Sequence, residues 1–150
     1  MLLTLFALGL LFWVFNTKAA EPTDRPDYTE TTKSVHYNWG DGGPGKLKDN
    51  FKAYFDQSQY LNKGDYFIQT YADDGVIMTV DGQSIINREK YSWSGLIDRA
   101  VFNAKESKTY SIQTTYFEGI KAAAIFSDIV PFGDWLGYYY DNETFSGAPK

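Results

Sequence analysis

A chain of 150 residues is long enough to bury a core, and one domain of ordinary size accounts for most of it. Its net charge of −5, with acids scattered rather than clustered in runs, lacks the basic footprint of a nucleic-acid binder. With no cysteine there are no disulfides or thiolate metal sites, while an aromatic share of 18%, carried by 12 Tyr and 11 Phe, favours β-structure and sugar-facing surfaces over a helical bundle.

Residues 2–15 form an apolar stretch free of charge, too short for a comfortable membrane span and about the length of a signal-peptide core. Thr17-Lys18-Ala19 then supplies small residues at a cleavage site, although Met1-Leu2-Leu3 offers no positive start. The expectation is a signal peptide over 1–20 that is removed on export, leaving no stable membrane span; a retained anchor is the rival. Residues 21–33, with Pro22, Pro26, several Thr and mixed charges, read as a linker.

Strands are predicted at 34–39, 51–56, 66–72, 76–80, 84–87, 110–117 and 122–126 from period-2 alternation of apolar residues. Their inward sides nominate Phe51, Phe55, Tyr66, Ile68, Val76, Met78, Val80, Ile112 and Tyr116 as core. Asp41-Gly42-Gly43-Pro44-Gly45 and Asn62-Lys63-Gly64 are turn-rich loops, and 96–105 is expected to make a short helix. Many short strands separated by turns, without sustained helical periodicity, predict an all-β sandwich or barrel.

Between two of these strands stands Asp73-Asp74-Gly75. Adjacent carboxylates on a loop held by scaffold strands suit a hard cation such as calcium, whereas the plainer alternative is a solvated turn. Two aspartates do not fill the six to eight oxygens that calcium takes, so other residues must contribute. His36 is the only histidine and has no partner for zinc, so a structural strand histidine is expected. No Gly-x-Ser-x-Gly element occurs and no catalytic residue is assigned.

The order Asn38-Trp39-Gly40, Asp49-Asn50-Phe51, Gly64-Asp65-Tyr66, Asp73-Asp74-Gly75-Val76, Val80-Asp81-Gly82, Tyr110-Ser111-Ile112-Gln113 and Tyr116-Phe117-Glu118-Gly119 resembles the PA14 domain, a β-sandwich or barrel module of toxins, adhesins and glycosidases. The resemblance implies a PA14-like domain over 34–133 whose opening strand is missing from its N-terminal side. It also implies that 134–150, rich in aromatics, begins a second repeat or supplies a closing strand. In calcium-dependent lectins of this family the matching Asp-Asp pair is joined by a cis peptide and binds calcium that contacts sugar hydroxyls, which would assign Asp73 and Asp74 to both metal and carbohydrate. Glu118 matches the acid of the family's second loop, but Ile120-Lys121 replaces the glycine-rich segment of many relatives, and the Lys121 charge would work against a cation there.

Among aromatic platforms for sugar rings, Tyr71 and Trp93 are the binding candidates, whereas Trp39 is expected in the core. The function expected is an exported, non-catalytic carbohydrate-binding module, secreted or on the cell surface, recognising cell-wall or surface glycan with calcium assistance and flanked by adjacent repeats. The alternative is a structural spacer of a larger surface protein or cell-wall hydrolase.

Overall fold

The computed structural model describes residues 25–89 and 95–150. Among them are eight strands and no helix: β1 (Val35–Gly40), β2 (Lys52–Leu61), β3 (Gly64–Asp73), β4 (Gly75–Val80), β5 (Gln83–Arg88), β6 (Leu96–Ala104), β7 (Lys108–Phe117) and β8 (Ala123–Pro131). They form two antiparallel sheets in the orders β1-β8-β3-β6 and β2-β7-β4-β5. The all-β sandwich, one of the two architectures expected from the sequence, is what the described residues form.

Alternation explains the layering. In β3, Tyr66, Ile68, Thr70 and Ala72 share one face; Val76, Met78 and Val80 of β4 lie in register with Tyr116, Thr114 and Ile112 of β7. These rows are buried against each other, with Phe102, Ile125 and Leu61 completing the core. Of the nine nominated core residues, eight are buried and Phe55 packs on the core from a half-buried edge position. Trp39 packs there too, stacked near Tyr37 and Tyr116 and edge-on to Phe51.

The expected helix at 96–105 is corrected: β6 is an edge strand in continuous register with β3 from Leu96 opposite Ala72 to Ala104 opposite Gly64. Ala100, Phe102 and Ala104 thereby face the core, which a helix at that edge would leave uncovered.

A smaller apolar cluster lies on the outer face of the first sheet. Tyr71, Ala124 and Phe126 are covered there by Tyr138 and Ala148 of the C-terminal segment, with Ile97 beside them. Residues 135–150 contain no strand; the Tyr138 hydroxyl reaches Asp128 Oδ2 at 2.9 Å and the Gln69 carbonyl at 3.4 Å. His36 stacks on Phe126 and pairs with Asp128 Oδ1 at 2.7 Å, the structural surface role expected of it.

Candidate functional site

The chain leaves the first sheet with β3 and enters the second with β4 through Asp73-Asp74-Gly75, so the acidic pair lies at the end of the sandwich where the two sheets are joined. The Asp73–Asp74 peptide is cis, as the resemblance implied. Gly75 leaves no room for a side chain, because a Cβ there would stand 2.9 Å from the Arg88 carbonyl oxygen. Asp74 is 6% exposed and its Oδ2 accepts a hydrogen bond from Gly119 N–H at 2.8 Å. That bond brings the loop after β7 under the turn.

Glu118 heads this loop. It is 1% exposed, not a surface acid, and its Oε1 is buried without a hydrogen-bond partner. Its Oε2 lies 2.6 Å from the hydroxyl of the fully buried Tyr116, which also contacts the Asp73 carbonyl and accepts from Ala124 N–H at 3.1 Å. A phenol has one proton and cannot donate to both Asp73 and Glu118. Both contacts are satisfied when Glu118 carries its own proton and donates it to Tyr116.

The electrostatics agree. Burial, reinforced by Asp74, Asp73 and Asp49, raises the Glu118 pKa to about 7 against the opposing Tyr116 hydrogen bond. Asp73 rises to about 6, first through burial and then through its neighbour Asp74, with Arg88 pulling the other way.

Arg88 is the residue that sequence reasoning missed. Its guanidinium donates to the Asp74 carbonyl, to the Ala72 carbonyl at 3.1 Å and to Asp98 Oδ2 at 2.8 Å, fastening the acidic turn to both sheets. The available signal was its place after Ile86 on the inward side of β5, where an unpaired cation would be costly. The remaining wall is backbone: Glu118 N–H to Phe51 O at 2.9 Å, Asn50 N–H to Gly119 O at 2.6 Å, and Lys121 N–H to Asp49 Oδ1 at 2.9 Å.

The structure therefore brings Asp73, Asp74 and Glu118 to one end of the sandwich. Among the described residues, however, no three His, Cys, Asp or Glu side chains form a group that would by itself hold a metal ion. By chemistry these donors suit a hard cation, being carboxylate oxygens of which one is buried and unpartnered; by number they fall short of calcium's six to eight, leaving main-chain, water or ligand oxygens to supply the rest.

Tyr71 is corrected as a sugar platform. It is 3% exposed, edge-on to Phe126, with its hydroxyl end against Gly95, where a Cβ would have no room. No ring face is left for a ligand. Burial, followed by the charge of Asp73, pushes its phenol up to about 12. Trp93 and the signal segment lie outside the described residues.

No family model matches the chain, and no curated protein matches it. Among solved structures it is similar to an anti-sigma factor domain-containing protein, with TM-score 0.66, 22% identity, and coverage of 72% of this chain and 38% of that one. A beta-glucosidase from Kluyveromyces marxianus, solved in complex with glucose, aligns with TM-score 0.61 and 12% identity over 79% of this chain and 16% of the enzyme. The PA14 domain of the MpAFP antifreeze protein aligns with TM-score 0.48 and 20% identity over 62% of this chain and 50% of that one. At these identities the likeness to the first two is one of fold alone, and the chain spans half or less of the length of each of the three structures. Among the described residues no helix is long and apolar enough to cross a membrane.

Proposed function

We infer that this chain is a non-catalytic module of an exported protein, secreted or at the cell surface, that binds carbohydrate of a wall or surface glycan with calcium held at the Asp73, Asp74 and Glu118 end of the sandwich. The observation that carries this reading is Glu118 Oε1: a carboxylate oxygen buried among other acids without a donor is a group for which a cation is the natural partner. The cation, when bound, supplies a positive centre to which hydroxyl oxygens are attracted. Tyr116 and Gly119 hold Glu118 and Asp74 in place, while Arg88 anchors the turn through main-chain carbonyls and leaves the carboxylates to the ligand. Asp73 and Asp74 belong to one turn rather than to two walls facing across a substrate, which argues against a glycosidase pair.

A proton on Glu118 and the cation compete for the same carboxylate. Calcium binding should strengthen as pH rises through about 7. Calcium at about a hundredfold over its Kd should raise Tm by on the order of 5–10 °C. Asp74→Asn should lose most of that increment, and glycan-array signal should disappear both in the variant and in excess chelator. A wild-type Tm indifferent to millimolar calcium at pH 8 would overturn the metal site. The spacer reading would then take its place, supported by the lack, among the described residues, of three acidic side chains close enough to hold a metal by themselves and by the larger chains in which this fold is found.

A further inference from the structure

A second site is built at the side of the sandwich, away from the acidic turn. β1 stops at Val35, opposite Ser127, so β8 from Asp128 to Pro131 has no strand neighbour on that side among the described residues. Across the gap, the inward row of edge strand β2 runs Ala53, Phe55, Gln57, Gln59, Leu61; amides interrupt an otherwise apolar row, with Gln57 opposite Ile112 and Gln59 opposite Tyr110 of β7. The cleft between these edges encloses about 580 Å³, the size of a small-ligand pocket.

Its chemistry is mixed in a particular way. Val35, Phe55, Met78, Ile112 and Ile129 give an apolar floor. Neutral polar groups stand over it: Gln57 Nε2 donates to Gln59 Oε1 at 3.2 Å, and Thr114 Oγ1 lies 3.3 Å from Ser127 Oγ, joining the two sheets. Behind Ser127, its register partner Thr70 keeps Oγ1 buried with no hydrogen-bond partner. The Asp128 carboxylate turns to the outer face, where His36 and Tyr138 hold it, and Asp56 lies on the outward side of β2, so the lining is neutral apart from Glu30 and Lys33 of the segment before β1; an anion buried there would lack a surplus of cationic partners.

We propose that this cleft is a second, cation-independent binding site for a neutral saccharide of one or two rings. Sugars carry both C–H faces for Phe55 and its floor and hydroxyls for amide and hydroxyl partners, and this lining offers both. The free edge of β8 is four residues, at the short end of the usual range of about three to ten, so an added peptide strand would gain few ladder hydrogen bonds.

The test uses the full chain in EDTA, which silences any calcium-dependent binding at Asp73 and Asp74 and so separates the two sites. Maltose, cellobiose, lactose and N,N′-diacetylchitobiose are titrated with amide NMR detection, alongside glucuronate and an extended tetrapeptide. At least one disaccharide should move the side-chain amides of Gln57 and Gln59 and the backbone amides of Thr114 and Ser127, while glucuronate binds at least tenfold more weakly. Asp74→Asn should bind like wild type, and Gln59→Leu should lose about tenfold in affinity. Thr114→Val gives an independent check should Gln59→Leu fold poorly. No shift with any disaccharide, shifts confined to the Asp73 and Glu118 end, or shifts in 128–131 with the tetrapeptide alone would each overturn the proposal.

Discussion

At the residue scale, the most consequential group is Glu118. Its carboxyl and that of Asp73 titrate higher in the folded chain, about 7 and about 6, than their ordinary values of 4.5 and 3.8. The folded state therefore binds more protons than the unfolded state between roughly pH 4 and 7, and stability falls as pH rises through that window. In chelator, Tm should decline from pH 5 to pH 8. Glu118→Gln should flatten much of that decline and raise Tm at pH 8, because a neutral amide keeps a donor for the Tyr116 hydroxyl without burying charge. The same variant should bind calcium weakly, so that its gain in calcium-free stability and its loss of calcium response appear in one set of scans. A Glu118→Gln protein less stable than wild type at pH 8 in chelator would show that the carboxylate is paired there.

At the element scale, the acidic turn depends on how closely β5 approaches the start of β4. Arg88 reaches the turn because nothing projects from Gly75, and a Cβ there would press against the Arg88 carbonyl at 2.9 Å and the Glu89 carbonyl at 3.3 Å. Gly75→Ala should cost about 1–3 kcal/mol in urea unfolding and reduce calcium response, since the backbone that would have to move carries Arg88. Gly82→Ala, where the added atom meets nothing within 4 Å but φ is +74°, serves as a contrast. Backbone strain alone should lower its stability while leaving the calcium response intact. β6 illustrates the same scale. Ile97, Ala100, Val101 and Ala104 fall at helical spacing while Ala100, Phe102 and Ala104 fall at strand spacing, and only the open edge of β3 decides between them.

At the scale of the whole molecule, the outer face of the first sheet is closed by the C-terminal segment. Tyr138 packs on Phe126, with ring centroids 5.8 Å apart, and its hydroxyl bonds to Asp128; burial and that carboxylate push its pKa well above the ordinary phenol value. Tyr138→Ala should cost about 1–2 kcal/mol and expose Phe126 and Tyr71, read as increased binding of an apolar dye and faster proteolysis after residue 134. Unchanged proteolysis would mean that Pro149, which is fully buried, and Ala148 hold the segment by themselves.

The sequence by itself determined the all-β class, seven of the eight strands, the core rows from Tyr66 to Tyr116 and the acidic turn Asp73-Asp74-Gly75; Glu118 is joined to that turn only by the family resemblance. Those follow from local alternation, turn residues and motif order, which survive without knowledge of neighbours. Tertiary structure alone decided that 96–104 is a strand, that Tyr71 is buried against Phe126 and Gly95 rather than open to a sugar, that Arg88 anchors the acidic turn, and that Gln57 and Gln59 line a cleft. Each of these depends on which distant segment lies alongside. A side chain's exposure, hydrogen-bond partners and charge state are properties of the groups packed around it, and those groups come from strands far apart in the chain.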